Sequence, residues 1–228
     1  MRKNGIVIAI DGPAGAGKSS VGKSIACEIN YKFISTGKMY RAVAWLCVRE
    51  NIDITNEENV LQIAKQNKMV FVDEDGCEPS LYIGNLKLEN ELYDEEIAKK
   101  TSDIAKMPKV REFLVTKQRE IGKDGGVVME GRDTTTNVFP DAELKIYLDA
   151  RPEERAKRRI NQLSEKGIKA DYNEILNMII KRDEQDAKRE YNPLKKSSSC
   201  YYIDTTNLTQ EEVKQKILKL YYKIVSKC

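Results

Sequence analysis

The chain has 228 residues, 40% hydrophobic and 33% charged, with 39 basic against 36 acidic side chains. That length buries one substantial core, no apolar run approaches the roughly 18 to 20 residues a membrane span needs, and the net charge of +3 gives no ground for general nucleic-acid binding. Histidine is absent, which excludes imidazole acid–base chemistry and Ser–His triads, so any reaction must run on carboxylates, Lys, Arg, backbone amides or an oxygen-held metal.

The first segment, GIVIAI at 5–10, is a short apolar run that reads as a buried parallel strand. It enters a glycine loop without a small-residue cleavage site, so no signal peptide is expected and the predicted location is the cytoplasm. A helical pattern then runs to about Asn30, YKFIS reads as a second strand, and a helix is predicted from about Lys38 to Arg49. From Met69 the texture changes: MVFVDEDG, EPSLYIG and LKLEN read as a small antiparallel insertion. Helices follow at Asp94–Lys106 and Pro108–Ile121, the latter opening with proline where the first turn tolerates it. VVME and ELKIYLDA restore the strand pattern, and PEERAKRRINQLSEKG carries helix start and stop signals. A polar helix from Tyr172 to Glu190, the strand CYYID and a helix after Leu208 complete an α/β chain with a parallel sheet and inserted lobes. Cys27, Cys47, Cys77, Cys200 and Cys228 form no CxxC pair, so the expectation is reduced, structural thiols without disulfide or zinc.

The strongest local signal is GPAGAGKS at 12–19, which satisfies G-x-x-x-x-G-K-[ST] between a predicted strand and a predicted helix. Gly12, Gly15 and Gly17 let the backbone curl and aim its N–H groups inward, and the helix adds its positive end. Lys18 reaches the β- and γ-phosphates of a nucleotide, and the Ser19 hydroxyl is a Mg²⁺ ligand. The expected donor site is therefore Gly12, Pro13, Ala14, Gly15, Ala16, Gly17, Lys18, Ser19 and Ser20, with ATP and Mg²⁺ bound there. No NKxD-type guanine motif accompanies it.

Arginines supply the second clue. Arg41, Arg111 and Arg132 stand near element ends, while Arg182, Asp186 and Arg189 recur on adjacent turns of one helix. EGRD follows a strand, at the end where parallel sheets bind ligands. A phosphate-monoester acceptor, largely a dianion near neutral pH, needs no general base but does need fixed positive charge. A hydroxyl acceptor would want a base, for which Asp133 is the candidate.

The segments IDGPAGAGKSS, STGKMYRAVA, PKVREFL, EGRDTTTNVFPDAELKIYLDA, PEERAKRR, IIKRDEQDAKREYNPLKK and YYIDTTNLT, in this order, resemble the bacterial cytidylate kinases over nearly the whole chain. The resemblance implies a P-loop core, a monophosphate-binding lobe at about 36–112 and a helical lid at about 152–170. It implies that Arg41, Arg132 and Arg189 grip the acceptor phosphate and that Arg182 and Asp186 contact its ribose. Ser102, Arg111 and Asp133 would face cytosine, with Thr36 and Tyr40 in the same site and Arg155 and Arg159 on the lid. It implies CMP or dCMP as acceptor and ATP-Mg²⁺ as donor, and nothing in the sequence demands more than a monomer. The chain departs from the family pattern D-[TS]-G-A-x-Y-R at Ser35 and Lys38, and from GRD-x-G-T at Thr135. Those departures leave open a weakened or shifted enzyme, or a nucleotide-binding module without useful catalysis.

Overall fold

The computed structural model describes residues 2–74, 76–165 and 167–226. In chain order the elements are β1 (Val7–Asp11), α1 (Lys18–Glu28), β2 (Lys32–Ser35), α2 (Thr36–Arg49), α3 (Glu57–Gln66), β3 (Met69–Val72), β4 (Ser80–Ile83), β5 (Leu86–Leu88), α4 (Glu95–Ile104), α5 (Pro108–Gly122), β6 (Val127–Glu130), β7 (Leu144–Asp149), α6 (Pro152–Glu165), α7 (Tyr172–Lys188), β8 (Tyr201–Asp204) and α8 (Gln210–Val225). A 3-10 turn spans Asn90–Tyr93 and a single π turn spans Thr134–Val138.

Among the described residues, five strands form a parallel sheet in the order β2-β6-β1-β7-β8. β1 and β6 are buried at every position, so they need apolar side chains on both faces. Ile6, Ile8 and Ile10 face Val21 and Ile25 of α1 and Val213 and Ile217 of α8. Val7 and Ala9 point the other way, toward Val115 of α5 and Phe139. Each fully buried Ile or Val contributes roughly 1.5 to 3 kcal/mol, and that two-sided burial fixes where β1 ends. The loop after Asp11 therefore emerges at the carboxyl edge of the sheet's central strand.

The second layer of the site comes from the insertion. β3, β4 and β5 form an antiparallel sheet whose inward Leu81, Ile83 and Leu88 pack on Ala42 and Leu46 of α2. Met39 and Val43 of α2 share another core with Val60, Ile97, Ile104 and Leu114. Two details depart from expectation: α2 starts at Thr36 rather than Lys38, and α3 is a helix that the sequence reading did not name. α3 begins at a regular cap, Asn56, whose side chain accepts from the N–H groups of Glu58 and Asn59.

The expectation for the cysteines is overturned. Cys27, on α1, and Cys77, between β3 and β4, form a disulfide with Cα atoms 5.0 Å apart. The partners lie 50 residues apart, so no spacing motif announces them. They meet because the Cys77 carbonyl accepts the Phe33 N–H (2.7 Å), seating the insertion on the outer edge of β2. Cys47 and Cys200 are free, the former buried, and Cys228 lies outside the described residues. Among the described residues no helix is long and apolar enough to cross a membrane.

Candidate active site

The glycine loop is shaped by close approach. Gly12 has φ +146°, and a Cβ there would lie 1.9 Å from the Leu148 carbonyl oxygen, so only glycine fits. Gly17, at φ 92°, precedes α1 and offers no side-chain cap, which leaves the first N–H groups of the helix open to an anion. α2 likewise starts without a side-chain cap, whereas α3, α4, α7 and α8 are all capped. α5 also lacks a side-chain cap but opens with Pro108, while the uncapped starts of α1 and α2, around Lys18 and Thr36, both line one cavity of about 350 Å³.

Nine cationic side chains and three carboxylates line that cavity. Lys18 is buried, its Nζ donates to the Pro13 carbonyl (2.7 Å), and burial followed by the charge of Arg132 brings its pKa down to about 7. Arg132 Nε donates to Asp186 Oδ2 (2.7 Å), and Arg189 Nη1 stands 3.8 Å from Asp186 Oδ1. Arg41 Nη1 donates to the Leu92 carbonyl (2.9 Å) from beneath the Tyr93 ring. Burial lowers the pKa of Arg41, with Arg159 adding to the effect, and lowers that of Arg189, with Arg111 adding. For Arg182 burial and then Arg132 bring it to about 10. Charged guanidinium groups crowded this closely form a site that a bound anion stabilises.

At the inner end, Arg111 Nη2 donates to Asp133 Oδ2 (2.6 Å) and Nη1 to the Ala105 carbonyl (2.9 Å). Ser102 and Tyr40 border the same space. The Tyr40 hydroxyl, Arg111 Nε and Arg189 Nε are buried without a hydrogen-bond partner. Each such group costs about 1 to 3 kcal/mol unless something meets it, so these orphans mark a cavity built for a polar occupant.

The structure thus gathers Lys18, Ser19, Thr36, Tyr40, Arg41, Ser102, Arg111, Arg132, Asp133, Arg159, Arg182, Asp186 and Arg189 around one space. Arg155 is the exception and corrects the lid expectation. Its Nε donates to the Ala150 carbonyl (2.8 Å) and its Nη1 to the Ala14 carbonyl (3.0 Å), while both terminal nitrogens bind Asp183. The first turn of α6 packs directly on the loop, with Arg155 Cβ 3.1 Å from where a Gly15 Cβ would be, so this guanidinium braces the loop from behind. Arg158 grips Thr205, whose hydroxyl donates to the Ala16 carbonyl (3.2 Å). Beyond the loop, a second cleft is lined by Gly17, Ser20, Arg158, Asn161, Thr205 and Gln210.

Sequence reasoning missed Glu130. Its Oε1 accepts from Ser35 Oγ (2.5 Å) and Ser19 Oγ (3.2 Å), which places a carboxylate beside the loop hydroxyl. The available signal was its place as the last residue of a strand paired with β1. The departures from the family pattern are accommodated. Ser35 is tied to Glu130, Lys38 and Lys23 share Glu78, and Thr135 donates both its N–H (2.7 Å) and its hydroxyl (2.6 Å) to Asp11.

A phosphate loop at the end of a central parallel strand, facing a cation-lined cavity, defines a P-loop phosphotransferase equipped for two anionic ligands. A cytidylate kinase family model matches residues 8–223. The chain is 41% identical over 213 residues to a cytidylate kinase of Clostridioides difficile, covering 93% of this chain and 96% of that one. It is 43% identical to the cytidylate kinase of Alkaliphilus oremlandii, covering 94% and 97% of the two chains. Against that of Bacillus subtilis the identity is 41%, covering 93% and 94%. The chain belongs to the cytidylate kinase family of nucleoside monophosphate kinases.

Proposed function

We propose that the chain transfers the γ-phosphoryl group of ATP to CMP or dCMP, giving ADP and CDP or dCDP. The observation that carries this reading is the convergence of Arg41, Arg132 and Arg189 on the cavity that Lys18 enters from the phosphate loop. The acceptor's phosphate oxygen attacks the γ-phosphorus as the bond to the β–γ bridging oxygen breaks, and ADP leaves. The dianionic acceptor supplies its own electron pair, so the guanidinium groups hold two polyanions together rather than remove a proton. Asp133 is engaged with Arg111 and Asn137, which favours base recognition over the role of a free general base for a hydroxyl acceptor. Its carboxylate and the Ser102 hydroxyl would read the exocyclic amine of cytosine, and Arg111 an acceptor atom of the ring.

Mg²⁺ suits the residues present. Among the described residues no group of three His, Cys, Asp or Glu could hold a metal alone. Ser19 and Glu130 offer the hydroxyl and carboxylate expected of an ion carried mainly by phosphates and water. Bound there, it would neutralise charge on the β- and γ-phosphate oxygens. The cleft at Asn161, Thr205 and Gln210 would take the donor's base. We place the acceptor lobe at about 36–112 and the lid at about 152–170, with Arg159 meeting the transferring group as the lid closes and excludes water. The use of ATP supports a cytoplasmic setting.

The test is ADP release with ATP-Mg²⁺ against CMP, dCMP, UMP, AMP, GMP and shikimate. CMP and dCMP should lead, with UMP weaker by about tenfold or more, because its carbonyl leaves an acceptor unpaired at about 1 to 3 kcal/mol. Tight ATP binding with no transfer to any monophosphate, or transfer to shikimate alone, would overturn the reading.

A further inference from the structure

Asp11 is an acid that the proposed reaction does not use. It is fully buried at the end of β1, immediately before Gly12 of the phosphate loop. Burying a carboxylate is costly, and desolvation raises its pKa against the hydrogen bonds it accepts from Thr135. Three donors aim at it: Thr134 N–H on Oδ1 (2.8 Å), and Thr135 N–H (2.7 Å) and Thr135 Oγ1 (2.6 Å) on Oδ2.

Those donors belong to the strap that leaves β6. The Gly131 N–H donates to the Ile10 carbonyl (2.9 Å), and the π turn closes with the N–H groups of Asn137 and Val138 on the Asp133 carbonyl. Arg119 of α5 holds the far end, donating from Nε to the Val138 carbonyl (3.0 Å) and from Nη2 to the Asn137 carbonyl (2.6 Å). Arg132 and Asp133 sit between the β6 anchor and the Asp11 anchor. A shift of Thr135 would therefore move the guanidinium and carboxylate assigned to the acceptor, while the phosphate loop stayed where β1 holds it.

We infer that Asp11 and Thr135 are positioning residues that hold the acceptor-binding strap in register with the donor's phosphate loop. This inference rests on the proposed reading of Arg132 and Asp133. Transfer between two bound phosphates requires the attacking oxygen about 3 Å from phosphorus, and a misplacement of about 1 Å costs on the order of 10²-fold in rate. Asp11 touches both halves, through its backbone on one side and its carboxylate on the other. Thr135, where the family pattern has glycine, adds a hydroxyl to a backbone bond that any residue could make.

The test compares Thr135→Val, Thr135→Ser and Asp11→Asn with the parent chain, using whichever monophosphate the parent phosphorylates. Thr135→Val keeps the N–H bond and loses only the hydroxyl, so it should raise the acceptor KM and lower kcat by about tenfold in kcat/KM. The KM for ATP should stay within about twofold, because the phosphate loop is not displaced. Thr135→Ser should recover parental values. Asp11→Asn, whose amide would face one N–H with another, should show the same split with a larger loss. The inference is overturned if Thr135→Val lowers the melting temperature while both KM values and kcat keep their parental values, or if Thr135→Ser fails to restore them. An Asp11→Asn chain that does not fold leaves the Thr135 pair to decide. Absence of monophosphate turnover in the parent would instead overturn the proposed reaction, so the two failures are distinct.

Discussion

The proposed donor and acceptor halves of the site are built by opposite means. The donor half is eight consecutive residues, GPAGAGKS, shaped by glycine and backbone N–H groups at the end of one buried strand. The proposed acceptor half draws Arg41 from α2, Arg111 from α5, Arg132 from the strap and Arg182 from α7, with Arg111 paired to Asp133, Arg132 to Asp186 and Arg41 held by the Leu92 carbonyl. A backbone cradle serves any polyphosphate, whereas a lattice of charged side chains can be tuned to one acceptor. Substitutions should therefore separate cleanly by half.

The largest effect is expected where the halves meet. Lys18→Ala should lower turnover by about 10³-fold with the fold retained, since a phosphate-loop cation is electrostatic rather than packing machinery. Arg132→Ala should cost about 10²-fold in kcat/KM for CMP with ATP binding unchanged. Steady-state kinetics with each substrate varied in turn, and circular dichroism of both variants, check this. If Arg132→Ala weakened ATP and CMP equally, the division between halves would fail.

A smaller effect should appear in selectivity. Asp133→Asn replaces a pure acceptor with a group that also donates, so the preference for CMP over UMP should narrow by about tenfold in a competition assay. The same change removes a buried partner of Arg111 and should cost about 3 kcal/mol or more of stability by denaturant titration.

The most delicate prediction concerns protons. Burial holds Lys18 at a pKa of about 7, below its ordinary value, so the amine is charged below that pH and increasingly neutral above it. A bound polyphosphate favours the charged form. ATP binding near pH 8 should therefore take up as much as about one proton, and near pH 6 none at this residue, with affinity falling as pH rises through 7. Calorimetry in buffers of different ionisation enthalpy reads the uptake, and Lys18→Arg, which stays charged, should abolish the difference. Equal uptake in that variant would remove Lys18 from the explanation.

What could be read from the sequence follows the same divide. The phosphate loop is contiguous, so its chemistry is written in one string, and the strands VVME and ELKIYLDA announce themselves by burial. The arginines could be named only because longer segments match a family pattern, since their convergence is a property of the fold. Arg155 shows the limit: it shares a helix face with Arg159, and only packing decides that one braces the loop while the other reaches the cavity. Glu130 went unread because a carboxylate ending a strand looks like any other until Ser19 and Ser35 are seen against it. α3 escaped because EENVLQIAKQ is mostly polar and only Val60, Leu61, Ile63 and Ala64 are apolar, too short a run to show a repeat.

The bond between Cys27 and Cys77 carries a mechanical consequence. It fastens the β3–β4 connection to the same helix that begins with Lys18 and Ser19, and Glu78 adds ionic links to Lys23 and Lys38 beside it. One corner of the insertion is thereby welded to the donor half. If the lobe rocks when its substrate arrives, Cys77 is the pivot, and the travel falls to the opposite rim, where Leu92 and Tyr93 meet Arg41.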